Sequence, residues 1–208
     1  MLNPAAHRGF ACALAIVVAL AACVPKAPPL VGQIAPVRLP DTRLPPVHRQ
    51  VVFNWTFSDG GYRAKGDGAA RIAPPDSVRL DFFLANGMGG GGALLVGDSL
   101  TLLASADKRV RDYLPPVPMI WAALGRLAAP AAVDTVARVD GDTLRVEIGR
   151  SPAWRATFAG SALQRLEVID GGRIPQRTTR DDDRHVRYEQ ARDHRSLELA
   201  IVRVDTVP

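Results

Sequence analysis

The stretch VVFNWTFS, residues 51–58, alternates large apolar side chains with polar ones. In an extended chain, successive side chains point to opposite faces, so a period of two places all the apolar ones on one side. The residues on that side are Val51, Phe53, Trp55 and Phe57. The stretch therefore predicts a half-buried β-strand whose aromatic face lies on a core.

The same alternation recurs along the rest of the chain. Turn-forming residues separate the runs, as in Asp59-Gly60-Gly61 and Asp140-Gly141-Asp142. The predicted strands cover about 49–58, 62–73, 77–85, 92–97, 99–105, 134–140, 142–149, 152–159, 162–170, 183–190 and 195–205. Short turns between neighbouring runs favour hairpins, so we expect an antiparallel meander of about eleven strands.

One segment, Pro118 to Ala128, has helical spacing instead. Ile120, Trp121, Leu124 and Leu127 recur at three- and four-residue intervals, and a proline suits the first turn of a helix. A strongly twisted sheet of this size curls, and the helix would lie in its concave face. The fold class is therefore mainly β with a small α part: a curved half-barrel closed by a helix over an apolar cavity. A solid core without a cavity is the alternative.

The N-terminus reads as a secretion signal. A short basic region containing Arg8 precedes the apolar run Phe10–Cys23, whose 14 residues are too few for a transmembrane helix, which needs about 20. Leu20-Ala21-Ala22-Cys23 resembles the bacterial lipobox, and predicts that residues 1–22 are removed and Cys23 carries the lipid. The alternative is ordinary secretion after cleavage at a nearby Ala-x-Ala-like site. The other cysteine, Cys12, would be removed, so the mature chain would hold no disulfide.

Residues 23–48 contain seven prolines and no periodicity, which predicts a lipidated N-terminus followed by an extended tether. A coil packed around the domain is the alternative for its second half. Residues 49–208 then form one domain. The net charge of +5 is spread without a basic block, so no nucleic-acid site is expected.

The chain offers little sign of catalysis. The glycines at 87–92 lack the Gly-Lys-Ser/Thr that ends a phosphate-binding loop, and no Gly-x-Ser-x-Gly elbow is present. Asp181-Asp182-Asp183 with His185 lacks the spacing of a calcium loop, so a solvated turn is the better interpretation. We expect no enzyme, no metal site and no cofactor.

In order along the chain, several motifs resemble the outer-membrane lipoprotein receptor family LolB and the LolA/LolB superfamily. The resemblance covers roughly residues 49–172. It rests on the lipobox, the aromatic strand, the glycine-containing strand KGDGAARI, PDSVRLD, LANGMG, the helix bearing Trp121, and the later hairpins at 154–160 and 166–172. Residues 171–183 form a polar insertion without a clear counterpart, and the loop has Met88 where the family has leucine.

The resemblance implies a half-barrel whose apolar cavity accepts acyl chains of lipoproteins or lipids, and a protruding loop that contacts membrane or acyl chain through Met88. The candidate pocket residues are Trp55, Phe57, Phe82, Trp121, Leu124, Trp154 and Phe158. It also implies a monomer in the cell envelope, anchored to the outer membrane and facing the periplasm, with a periplasmic carrier protein as a further partner. A structural or assembly lipoprotein that binds a protein and carries no lipid is the alternative.

Overall fold

The computed structural model describes residues 24–85, 89–103, 111, 114–130 and 132–207. The strands, in chain order, are β1 (Gln33–Ala35), β2 (His48–Asp59), β3 (Tyr62–Ala73), β4 (Ser77–Leu84), β5 (Gly90–Val96), β6 (Ser99–Leu102), β7 (Thr135–Asp140), β8 (Thr143–Ile148), β9 (Ala153–Ala159), β10 (Ala162–Asp170), β11 (Arg173–Arg180), β12 (His185–Gln190) and β13 (Arg195–Val207). A helix, α1 (Val117–Ala123), lies between β6 and β7.

Within the described residues these 13 strands form a single antiparallel sheet in the order β1-β7-β8-β9-β10-β11-β12-β13-β2-β3-β4-β5-β6. The sheet is curved and does not close on itself. α1 packs on β10, β11 and β12, and the apolar faces of sheet and helix form one core. The predicted fold class, a mainly β half-barrel with a small α part, is confirmed.

All eleven predicted strands are present, and β1 and β11 are additional. Residues 171–183, interpreted as a polar insertion, contain β11, which lies inside the sheet between β10 and β12. Its sequence, RIPQRTTR, lacks the apolar alternation on which strand prediction depends. Its stability comes from side chains on neighbouring strands.

A row of alternating charges crosses five adjacent strands on the face opposite the main core. Glu147, Arg155, Glu167, Arg177 and Glu189 are consecutive cross-strand partners on β8 to β12. Arg155 binds Glu147 at 2.8 Å, and Arg177 binds Glu189 at 2.7 Å and approaches Glu167 at 3.9 Å. Directly opposed opposite charges favour this register, since a one-residue shift would separate every pair.

α1 is shorter than the predicted 118–128, which corrects that boundary. Gly125 adopts a positive φ of 85°, and the amide nitrogens of Gly125 and Arg126 bond back to the last turn. A glycine in this left-handed conformation is a common helix end.

No helix in the described ranges is long and apolar enough to cross a membrane.

Residues 24–47, here called the N-terminal strap, pack on the domain. The Ala27 amide donates to the Gly172 carbonyl, and the Ile174 amide donates to the Pro25 carbonyl. Further along the strap, β1 pairs with β7. The Arg155 guanidinium donates to the carbonyl of Pro28, and Leu44 enters the main core. These residues therefore do not form the extended tether that the prolines predicted. Their backbone groups bond to the domain instead of to water, as in the alternative of a coil packed around it.

The hairpin turns divide between two rims of the sheet. The first rim carries the turns at 60–61, 149–152, 171–172 and 191–194, the described ends of the β4–β5 loop at Ala85 and Gly89, and the beginning of the strap. The opposite rim carries the turns at 74–76, 97–98, 141–142, 160–161 and 181–184. Aspartates concentrate in the turns of the opposite rim: Asp76, Asp98, Asp142, Asp181, Asp182 and Asp183.

Replacing Arg155 by methionine tests the charge row. Arg155 is buried, and its removal leaves the Glu147 carboxylate without its partner and Glu167 without the cation opposite it on β9. We expect the free energy of unfolding to fall by about 3 kcal/mol, measured by urea denaturation followed by tryptophan fluorescence. The control is Arg165→Met at an exposed position of β10, with an expected change within about 0.5 kcal/mol. Equal effects of the two changes would contradict this role of the row.

Two leucines of the strap form a second matched pair. Leu44 is 7% exposed and belongs to the core, whereas Leu39 is 45% exposed. Leu44→Ala should lower the free energy of unfolding by about 2–3 kcal/mol, because a buried leucine leaves a cavity. Leu39→Ala should change it by less than about 0.5 kcal/mol. A strap detached from the domain in solution would give two small and similar values.

Candidate functional site

An apolar cavity lies between the concave face of the sheet and the end of α1. Its volume is about 50 Å³. Its walls come from β2, β3, β4, β12 and β13, from α1, and from the segment that precedes α1. All of the lining residues are apolar: Val51, Phe53, Ala70, Leu80, Phe82, Leu114, Pro115, Ile120, Ala123, Leu124, Val186, Leu197, Leu199 and Ile201.

The aromatic wall of the cavity depends on a glycine in β3. The Phe53 and Phe82 rings meet edge to face with 5.7 Å between centroids, and Trp55 meets Phe82 at 5.8 Å. A Cβ on Gly68 would lie 2.4 Å from the Phe53 ring, so only glycine lets the ring lie across β3. In the β3 sequence KGDGAARI, Gly68 is therefore the residue that leaves room for the Phe53 ring.

The cavity is small for a ligand. One water needs roughly 10–15 Å³ of such space, so the cavity has room for only a few water molecules. A purely apolar cavity of this kind offers no hydrogen-bond partners to water, and favours apolar occupants instead. A long acyl chain would need α1 or residues 114–116 to move outward.

The structure separates the predicted pocket residues into three groups. Phe82 and Leu124 line the cavity. Trp55 lies beside Phe82, and its indole nitrogen donates to the Asp67 carbonyl at 3.0 Å. The remaining four lie in the core away from the cavity: Phe57, Trp121 and Phe158 are fully buried, and Trp154 is half-buried. Ligand contact by any of the seven stays a prediction.

Phe53 is the main lining residue that the pocket prediction omitted. Its alternation with Trp55 and Phe57 already places it on the inner face. The sequence does not show that α1 ends at Ala123 and leaves the β2–β4 side of the concave face partly uncovered. The signal that could have located the cavity is Gly125, which ends the helix.

Polar groups hold α1 in place beside the cavity. The Arg180 guanidinium donates to the carbonyl of Ala123 at 2.6 Å, and the Thr178 hydroxyl donates to that of Met119 at 3.2 Å. Burial lowers the pKa of Arg180. Burial also raises the pKa of Tyr188, beneath the same core, to about 12. The Trp121 indole nitrogen donates to the Gly97 carbonyl at 2.8 Å, tying the helix to the β5–β6 turn.

Larger hollows of about 280 to 340 Å³ lie elsewhere on the surface, and charged and polar side chains contribute to their walls. At the β11–β12 turn, the Asp182 carboxylate accepts bonds from the amide nitrogens of Arg184 and His185 and from the His185 ring. The bond from the His185 ring and that from the Arg184 amide lower the pKa of Asp182. The Asp182 carboxylate is therefore occupied by hydrogen bonds within its own turn. Within the described ranges, no group of three or more His, Cys, Asp or Glu residues could hold a metal ion.

Cys23 and Met88 lie outside the described residues, so their predicted roles as lipid anchor and loop tip remain predictions. Around Met88, the Leu84 amide donates to the Gly89 carbonyl at 3.2 Å, which closes the base of the β4–β5 loop. Next to Leu84, Phe83 is 56% exposed. An apolar side chain is thus displayed at the base of this loop.

Comparison with known proteins gives fold similarity without sequence similarity. No family model and no curated protein matches the chain. Among solved structures, a LolA-superfamily protein from Nitrosomonas europaea aligns with a TM-score of 0.51 and 11% identity, over 80% of this chain and 89% of that one.

Two further structures align less well. A DUF1329-family protein from Desulfovibrio piger has a TM-score of 0.43 and 10% identity, over 80% and 87% of the two chains. A putative outer-membrane lipoprotein-sorting protein domain from Vibrio parahaemolyticus has a TM-score of 0.42 and 5% identity, over 77% and 85%. At these scores neither adds to the argument.

The chain is therefore an open antiparallel half-barrel with an apolar cavity beside a short helix. Its fold is similar to that of the LolA-superfamily protein, which is the kind of fold that the resemblance in the sequence motifs implied.

Proposed function

We propose that this protein is a non-enzymatic lipoprotein of the cell envelope that binds acyl chains of lipoproteins or lipids and helps insert them into the outer membrane. One observation carries the proposal: within this fold, the concave face and α1 enclose a cavity lined by apolar residues alone. Each methylene buried there would gain about 0.8 kcal/mol.

Binding of a whole chain requires the cavity to widen. The elements that cover it are short: Leu114 and Pro115 precede α1, and α1 has only seven residues. α1 contacts β10–β12, whereas most of the cavity wall lies on β13 and β2–β4. An outward shift of residues 114–116 and the end of α1 would extend the cavity along the inner face without breaking the sheet.

Delivery to a membrane would use the predicted lipid on Cys23 and the tip residue Met88. A methionine flanked by glycines has little neighbouring surface on which to pack, and an unbranched apolar side chain suits an acyl environment. Phe83, exposed at the base of the same loop, adds apolar area there. A periplasmic carrier protein is the expected donor of cargo.

Binding of a fluorescent fatty acid tests the cavity. The protein is produced without residues 1–22 and with Cys23→Ser, and saturable binding is measured by fluorescence titration. Leu199→Trp should lower the affinity about tenfold, since an indole in the cavity displaces at least two methylenes of the chain. The control is Val202→Trp, an exposed position on the same strand, which should leave affinity unchanged. Absence of saturable binding by the unaltered cavity, with no co-purified lipid in mass spectra, would reject acyl binding.

Transfer to liposomes tests the loop. Met88→Glu places a charge where the proposal requires an apolar tip, and should slow the release of bound fatty acid to vesicles about tenfold or more. Met88→Leu is the matched control and should retain the rate. Equal rates for both variants would remove Met88 from the mechanism and leave cavity binding intact.

The small cavity volume favours one other candidate, an assembly lipoprotein whose half-barrel binds a protein partner and carries no lipid. That protein would keep α1 closed on the sheet. In the fluorescence titration, it would show no saturable fatty-acid binding.

A further inference from the structure

Two guanidinium groups near the cavity are incompletely paired. Within the described residues, the only buried side-chain nitrogens without a hydrogen-bond partner are Arg49 Nε and Arg126 Nη1. Buried polar atoms in native proteins nearly always have a partner, so each such atom requires an explanation. Both exceptions are cationic donors, and an anion is the partner they fit.

The two side chains lie around the same end of the cavity as a third arginine. Arg49 stands two residues before Val51 on β2, and therefore on its inner face. Arg180 is likewise two residues beyond Thr178, which contacts α1, and Arg180 itself bonds to the end of the helix. Arg126 directly follows Gly125, whose ideal Cβ would lie 3.8 Å from Arg180 Cζ.

These positions adjoin the cavity wall. Val51, Ala123 and Leu124 all line the cavity, and the cross-strand partner of Arg180, Val186, lines it too. Arg126 lies over the Trp121 ring with its Cζ 4.4 Å from the ring centroid, which fixes its direction. The three arginines are therefore close neighbours, in the chain or across strands, of residues that line the cavity.

The carboxylates nearest to Arg180 lie in the turn that follows it and are exposed to solvent. Asp183 is fully exposed and lies 4.0 Å from Arg180, while Asp182 is engaged with His185. Burial lowers the pKa of Arg180; Asp183 and Asp182 raise it, and the charge of Arg49 lowers it further. Arg180 thus has another cation, Arg49, among the charges that act on it, beside its own contact with the end of α1.

We infer that Arg49, Arg126 and Arg180 bind the anionic headgroup, a carboxylate or a phosphate, of an amphiphile whose hydrocarbon chain enters the adjoining apolar cavity. This inference rests on the proposed function and specifies its ligand class. Guanidinium groups suit both anions because their planar set of donors matches two oxygens at once. The headgroup would supply the missing partners of Arg49 and Arg126.

Isothermal titration calorimetry with four probes tests the inference on the protein with Cys23→Ser. The probes are decanoate, decyl phosphate, 1-decanol and inorganic phosphate. Decanoate or decyl phosphate should bind at least about tenfold more tightly than decanol, because charge-assisted hydrogen bonds add to chain burial. The double variant R49Q/R126Q should lose that advantage and bind decanol as before. R165Q removes one positive charge from an exposed site and should change nothing.

The four probes separate the two proposals. Equal affinity for decanol and both anionic amphiphiles would overturn the headgroup site and leave acyl binding standing. Binding of inorganic phosphate as tight as that of decyl phosphate would leave an anion site and count against a carried chain. A preference for decanoate would identify a fatty-acid carboxylate, and the reverse a phospholipid phosphate. Thermal unfolding checks that each variant is folded, and R126Q alone replaces the double variant if the latter is not.

Discussion

The pairing of β2 with β13 holds the two halves of this sheet together. Twelve residue pairs join the strands, from His48 opposite Val207 to Asp59 opposite Arg195, and the last pair is also an ion pair at 2.9 Å. In the sheet order, β1 and β7–β13 lie on one side of this pairing, and β2–β6 lie on the other. The cavity lies over this junction, so its walls depend on a contact between the beginning and the end of the domain.

The strands with alternating side chains could be predicted from the sequence because their signal is local. The inner residues in the middle of β2, from Val51 to Phe57, are apolar, and each turn has its glycine, proline or aspartate. β11 and the N-terminal strap lack such signals, because both are stabilised by distant partners. Arg155 bonds both to Glu147 and to the carbonyl of Pro28, which lies 127 residues before Arg155 in the chain. No periodicity in residues 24–47 predicts that bond.

The site was only partly predictable for a related reason. Alternation identifies which aromatic residues face inward, but not which of them a short helix covers. Trp121, Phe57 and Phe158 are fully buried in the solid part of the core, whereas Phe82 and Leu124 reach the cavity. The boundary between the two parts follows from the left-handed glycine at position 125. The arginines around that boundary, at 49, 126 and 180, are far apart in sequence and meet only through the topology.

The N-terminal strap determines how closely a lipid on Cys23 would hold the domain to a membrane. Val24, the next residue, already accepts a bond from Arg173, so an acylated Cys23 would be joined to the rigid body without intervening slack. Ala85 and Gly89, the described ends of the β4–β5 loop, lie on the same rim, and the aspartate-rich turns lie on the opposite one. A lipid on Cys23 would therefore hold this rim near the bilayer and leave the acidic turns at the far end of the strands.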